Sequence, residues 1–421
     1  MLDIGFIRDH PEDVERAATK KGFSVDVKAI LKLDTDRRKL QRDYDEIRAA
    51  KHEAGSELSK LSGKTKESFL KKLKAIDKKE QSLKPQLVKK EAELAAALAA
   101  VPNPPLSEVP EGKGEQDNVE VRTWGQPKKF DFPTLDHTEL ASRLDLIDFE
   151  RGAKVSGSGF YFLKNEAVSL ELALVQYALD FLRKREFVPW ITPDLVHGRF
   201  SLGTGYLPRG PEAQTYEVSG FDSTLIATAE VTLAGIHSDE ILEERDLPKR
   251  YAGYSHCFRQ EAGAYGKYSK GLYRVHQFTK VEMFAITTPE DSPKMHEELL
   301  KLEEELWQGL EIPYRVMEMC TGDLGAQAAR KFDLEAWMPG RKDWGEVTST
   351  SNTTDFQARR LGIRFRTKKG DLAFAHTLNG TAIATSRAII ALLENYQQKD
   401  GSVAIPQVLQ PYMGGLSAIH R

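Results

Sequence analysis

Residues 257–284 read CFRQEAGAYGKYSKGLYRVHQFTKVEMF. With a repeat of two, Arg274, His276, Phe278, Lys280 and Glu282 fall on one face of a strand, and Val275, Gln277, Thr279, Val281 and Met283 on the other. Arg259 and Glu261 share a face in the first half. Between the halves lies a basic tip with Gly263, Gly266, Gly271, Lys267 and Lys270. The pattern predicts a β-hairpin with a long glycine-rich loop. One side of it packs. The other carries two guanidiniums, an aromatic plate and two carboxylates, which are costly to place over a core. A polyanion bearing a flat ring accounts for that set: arginines for phosphates, Phe278 for a base, Glu282 for an ammonium. On spacing alone, a solvated face laced with salt bridges accounts for it as well.

The chain of 421 residues is long enough for two or three domains with a large core. Its two cysteines, Cys257 and Cys320, form no CxxC, which argues against a disulfide framework or a cysteine-rich zinc site. The start MLDIGFIRDHPED has no apolar signal core, and no apolar run is long enough for a bilayer. A cytoplasmic protein without membrane contact is expected. The net charge of -3 hides an asymmetry: residues 30–100 carry 18 Lys+Arg against 12 Asp+Glu. A basic segment on an acidic body points weakly to nucleic acid, or simply to a solvated helical surface.

That basic segment holds the clearest periodicity. Positions 30, 33, 37, 40, 44, 47, 51, 54, 58 and 61 are apolar in eight of ten cases, as are 69, 73, 76, 80, 83, 87, 90, 94, 97 and 101. With a turn at 62–65, this predicts an antiparallel pair of long helices about 50 Å in length. Seams so narrow leave most of each helix in water, so the pair is expected to project. Arg37, Lys51, Glu80 and Lys90 fall on the seam, with their stems along it and charges at its edge. Pro85 is expected to cost about 3 kcal/mol and kink the second helix. Reach toward a large partner and a spacer or dimerisation coil both fit the pattern.

Pro102-Asn103-Pro104-Pro105 stops the second helix. Residues 105–134 read as a linker with one short strand at 119–121. Beyond it, 168–185 reads as an amphipathic helix, 187–196 as a strand entering a proline turn, 202–205 as a glycine loop and 225–231 as a strand. Charged helices are expected around 238–244, a helix over 289–310, strands at 314–319, 332–337, 345–352 and 376–381, and a helix over 384–398. There is no Walker A, GxGxxG, HExxH or nucleophile-elbow motif.

FRQE at 258–261, a glycine-rich loop, and Arg274 four residues before Phe278 resemble motif 2 of the class II aminoacyl-tRNA synthetases. Asn379-Gly380-Thr381 through Arg387 resembles motif 3, and the segment from Phe187 to Pro193 resembles motif 1, the dimer motif. TAE at 228–230, GEVTSTSN at 345–352, DFQARR at 355–360 and IPQVLQPYMGG at 405–415 are particular to the seryl-tRNA synthetase family, which the chain resembles over essentially its full length, in the bacterial form.

The resemblance implies an α+β protein. It implies a helical domain over 1–104 with a coiled-coil tRNA-binding arm at about 28–101, a linker over 105–134, and a class II catalytic domain over 135–421 on a mainly antiparallel sheet flanked by helices. It implies a homodimer that joins L-serine to ATP as seryl-adenylate and passes the seryl group to tRNA(Ser). Whether tRNA(Sec) is also served stays open. Carried over, Arg259 holds the α-phosphate and the serine carboxylate, and Arg274 the outer phosphates. Phe278 and Arg387 sandwich the adenine, and Glu261 reads its edge. Gln260, Val275, Val347 and Thr348 belong to the ATP site. Glu346 and Ser349 hold Mg²⁺ with ATP, and no zinc is expected. Glu230 and Glu282 take the ammonium and hydroxyl of serine, with Thr228, Ala229, Asn379 and Thr381 around them. Thr381 is alternatively a helix cap. Ser386 stands before Arg387 where many class II enzymes have an acidic residue. A ligase acting on a carrier protein, or a non-catalytic binder of the same fold, are the alternatives. The complete arm argues against the first, and intact Arg259, Glu346 and Arg387 against the second.

Overall fold

Eight strands make the main sheet: β1 Val119–Trp124, β2 Val188–Ile191, β3 Lys249–Phe258, β4 Gln277–Thr287, β5 Tyr314–Glu318, β6 Arg330–Met338, β7 Asp343–Asn352 and β8 His376–Ala384. Their order is β1-β5-β6-β7-β8-β4-β3-β2. Every pairing is antiparallel except that of the edge strand β2 with β3. The computed structural model describes residues 2–58, 62–206, 214–261 and 269–421. Gly263, Gly266 and Lys267 of the expected hairpin tip, and seam position 61, lie outside them.

The helices named here are α1 Ile4–Asp9, α2 Pro11–Lys20, α3 Val27–Leu58, α4 Gly63–Ala99, α5 Glu166–Arg183, α6 Ala229–Gly235, α7 Ser292–Gly309 and α8 Thr385–Tyr396. The chain divides into two compact units, Met1–Pro104 and Pro105–Arg421.

In the first unit α3 and α4 are the two long helices expected. Apolar burial is concentrated at their base, where Ile7 and Val14 of the short helices meet Val27, Ile30, Leu94, Leu98 and Val101. Further along, the seam is only half buried and ion pairs supplement it. Lys51 bridges to Asp77 at 2.8 Å and Glu80 at 2.6 Å, from one helix to the other. Pro85 does not break α4. Pro85 and Gln81, whose carbonyl it leaves without an intrahelical donor, are both exposed residues, and the Gln86 side-chain amide donates to the neighbouring Ser82 carbonyl at 3.0 Å. The N-terminal segment forms two short helices, because Pro11 starts a new one at its first turn.

In the second unit α5, α7 and α8 pack on the sheet and share a core with it that includes Leu174, Leu182, Trp307, Tyr314, Val281, Met283 and Ile389. Residues 105–134, expected to be a linker, belong to this unit. The Leu106 N–H donates to the Ala329 carbonyl at 2.9 Å, and β1 completes an edge of the sheet against β5. Their few apolar residues conceal this, because edge pairing uses backbone groups.

Three local readings are overturned. Residues 225–231 are not one strand: Ser223–Leu225 is extended, and α6 begins at Ala229 because the Thr228 hydroxyl accepts the Glu230 N–H at 3.2 Å. The glycine loop at 202–205 is the end of the helix Gly198–Thr204, closed by Gly205 at φ 98°. Around 238–244 there is a strand, Ile241–Glu243, held in parallel by the distant Arg364–Arg366.

Candidate active site

The floor of the site is β4. Its pleat turns Phe278, Lys280 and Glu282 to one face, while Val281, Met283 and Ala285 enter the core behind. Arg259, just past β3, sets its guanidinium 5.3 Å from the centre of the Phe278 ring and donates to the Ala227 carbonyl at 3.3 Å. Glu261, in the left-handed region at φ 51°, receives the Arg274 guanidinium at 2.8 Å.

The second wall is β7. Glu346 and Ser349 are three positions apart, so a regular strand would turn them to opposite faces. A bulge at Val347 corrects this. Glu346 faces Glu335 and Ser349 faces Asp333 across β6, and since those two are i and i+2, Glu346 and Ser349 share a face. The Thr348 side chain is thereby turned to the other face, and its hydroxyl donates to Glu303 of α7 at 2.8 Å.

Arg387 enters from the first turn of α8. It donates to the Glu346 carbonyl oxygen at 2.8 Å and pairs with the Glu346 carboxylate at 3.2 Å, its guanidinium 4.8 Å from the Tyr273 ring. Burial works against a charge on Glu346. Arg387 and then Lys331 outweigh it and hold the carboxyl at about 2.

Arg259, Glu261, Arg274, Val275, Phe278, Glu346, Val347, Thr348, Ser349, Thr381 and Arg387 line one cavity, joined by Tyr273, Lys280, Ala384 and Ser386. Phe278 and Arg387 therefore open into the same space. Gln260 is not among the lining residues: its amide donates to the Thr215 carbonyl at 2.6 Å.

Beside this cavity is a buried polar cluster centred on Glu230. Its carboxylate receives the Tyr206 hydroxyl at 2.9 Å, the Gln357 amide at 2.6 Å and the Asn379 amide at 2.9 Å. Burial, and then the charge of Glu282, push its pKa up to about 7. Glu282 pairs with Lys280 and receives the Thr381 hydroxyl at 3.4 Å. Thr381 lies within β8 opposite Glu282, so it caps no helix. Thr228 and Ala229 form the buried start of α6 and carry Glu230.

Four residues here had no role assigned from the sequence. Lys280 was visible on the correct face. Gln357 lies within the family-specific DFQARR run. Tyr206 and Asp333 give no local signal, since only the fold brings Tyr206 to Glu230 and Asp333 opposite Ser349.

Two family models match the chain: "Seryl-tRNA synthetase N-terminal domain" over residues 1–105, and "tRNA synthetase class II core domain (G, H, P, S and T)" over residues 217–396. The chain is 54% identical to the serine–tRNA ligase of Dictyoglomus thermophilum across 98% of both chains. Among solved structures, it is similar to the seryl-tRNA synthetase of Pyrococcus horikoshii complexed with ATP. There the TM-score is 0.89 and the identity 43%, over 100% of this chain and 99% of that one. A cytoplasmic serine–tRNA ligase from Naegleria fowleri in complex with AMP gives a TM-score of 0.83 at 34% identity, over 100% of this chain and 98% of that one.

Proposed function

This chain belongs to the seryl-tRNA synthetase family, and from that membership we propose how its residues carry out serine activation and transfer. The protein is a serine–tRNA ligase. It activates L-serine with ATP and esterifies the seryl group to the 3′ end of tRNA(Ser). The observation that carries the residue assignment is the convergence of Arg259, Phe278, Glu346 and Arg387 on one cavity, with a carboxylate-rich buried cluster next to it.

The serine carboxylate attacks the α-phosphorus of ATP in line, and pyrophosphate leaves. A ribose hydroxyl of the tRNA terminus then attacks the seryl carbonyl, and AMP leaves. The first step needs no side chain as acid or base, so positioning and charge stabilisation supply the rate. Arg259 bridges the serine carboxylate and the α-phosphate, lowering the repulsion between two anions that must meet. Phe278 and Arg387 hold the adenine between a phenyl face and a guanidinium plane. Arg274 moves from Glu261 to the outer phosphates, which frees Glu261 for the purine edge.

Glu230 takes the ammonium of serine, because its described hydrogen-bond partners are all neutral donors. Glu282, with Thr381, takes the hydroxyl. Alanine would leave these groups unpaired and is rejected for that reason.

Glu346 and Ser349 fit Mg²⁺. They are hard oxygen donors turned to one face by the bulge at Val347, and the carboxyl stays charged at any working pH. Bound there, the ion supplies neutralisation of the phosphate oxygens.

The arm α3–α4 is the tRNA-binding element, gripping backbone and shape. A homodimer is supported by the apolar strip on edge strand β2, where Val188, Trp190 and Ile191 are exposed, together with Val168 and Leu172 of α5. Among the described residues no helix is long and apolar enough to cross a membrane.

Charging of an unfractionated tRNA pool tests the reading. Serine is expected to become attached in an alkali-labile ester to a serine-accepting tRNA. Transfer of serine only to a protein carrier would replace this reading with the carrier-ligase alternative.

A further inference from the structure

The two buried carboxylates beside the cavity are supported in different ways. Glu230 is held by a hydroxyl and two amides. Glu282 is held by a lysine. Lys280 and Glu282 lie two apart on β4, so the pleat puts both on the site face, at 4% and 2% exposure. The Lys280 ammonium is paired with Glu282 Oε2, and the Thr381 hydroxyl donates to that same oxygen. Among the described residues, no side chain bonds to the other oxygen.

A lysine this buried is costly unless its charge is used. It lines the same cavity as Phe278 and Thr381, so two uses are open: an ammonium aimed at a phosphate, or a clamp on Glu282. Its pairing with Oε2 favours the clamp. We propose that Lys280 is a positioning residue for recognition of the substrate's side-chain hydroxyl. By pinning one oxygen of Glu282, it fixes the direction in which the other accepts a hydrogen bond. It also supplies a counter-charge that keeps Glu282 from competing with Glu230 for the ammonium. Serine selectivity thus rests on an ion pair within the sheet as well as on the groups that touch serine. This inference rests on the serine-activating reading above.

The test is serine-dependent ATP–pyrophosphate exchange in the full-length wild type, Lys280→Met, Glu282→Gln and the double variant. Exchange by the wild type checks the underlying reading by itself. In Lys280→Met the KM for serine is expected to rise roughly tenfold or more, the loss of one hydrogen bond to a charged group, with the KM for ATP within about twofold. Preference for serine over alanine falls with it. Because Lys280 acts through Glu282, the double variant is expected to match Glu282→Gln alone in kcat/KM for serine. Should Lys280→Met fail to fold with Glu282 left unpaired, the double variant, neutral at both positions, still provides that comparison. An equal rise in the KM for ATP, or a double variant clearly worse than Glu282→Gln, would overturn the proposal and make Lys280 a phosphate ligand.

Discussion

The helical arm and the sheet-based unit both contain a lysine bridged to a glutamate, in opposite settings. In the arm, Lys51 ties α3 to Asp77 and Glu80 of α4 with its side chain 44% exposed. In the sheet, Lys280 meets Glu282 almost out of reach of water. Solvent and salt screen the first pair, so it adds little beyond register. The second pair has exchanged its hydration for one partner, and removing either member strands the other. The contrast separates two kinds of work. Charge left in water along a narrow coil suits gripping a polyanion, while charge withdrawn into a sheet suits holding a small zwitterion and a triphosphate in one geometry.

The largest effect expected from this division is a complete uncoupling. Removal of residues 28–101 is expected to reduce tRNA charging by about a thousandfold or more, while pyrophosphate exchange stays within about twofold, because each unit has its own core. Equal loss of both activities would erase the contrast.

Next comes Arg387→Ala. It removes the guanidinium proposed to stack on adenine and the partner that keeps Glu346 charged. A fall of about 10²–10³ in exchange kcat is expected from the loss of one preorganised cation. Circular dichroism separates this from misfolding.

A smaller effect follows from Glu230, whose pKa is pushed up to about 7 by burial and then by Glu282. Below that value the carboxyl is neutral and cannot pair with an ammonium. The kcat/KM for serine is therefore expected to rise with pH and level off above about 7, and Glu230→Gln is expected to remove this limb. The sign for stability is opposite. A carboxyl raised above its ordinary 4.5 favours the fold fully below 4.5, and that contribution is lost as pH climbs through about 7. Serine, by pairing with the carboxylate, is expected to stabilise the protein more at pH 8 than at pH 6 in a thermal-shift series.

Smallest of all is Lys51→Met. Little change in the unfolding midpoint is expected, since the seam retains its apolar contacts and a methionine can join them. A marked destabilisation here would mean that the arm relies on its ion pairs as the sheet does.

The same contrast governs how far the sequence could be read. The arm is local: eight of ten seam positions in each helix are apolar, and steps of three and four identify them with no knowledge of the rest of the chain. Strands β5 to β8 and the helices α5, α7 and α8 also declare themselves through local pattern. What escaped was set over long distances. The 241–243 strand exists because residues 364–366 lie beside it, and the strand expected at 119–121 belongs to the sheet and not to a linker because β5 offers it an edge. Within the site, motif spacing singled out Arg259, Phe278, Glu346 and Arg387. It could not foresee the bulge that turns Ser349 toward Glu346, nor the approach of Tyr206 to Glu230. Charged seam residues misled least, since long stems reach water whatever the packing.

The most direct measurement is ATP–pyrophosphate exchange by the intact protein, with serine, threonine, alanine and glycine compared at equal concentration. Robust exchange with serine, and alanine slower by about 10²-fold or more through its missing hydroxyl, is the predicted result. Absence of serine-dependent exchange, or alanine matching serine, would contradict the assignment of Glu230, Glu282 and Thr381 to a hydroxylated amino acid.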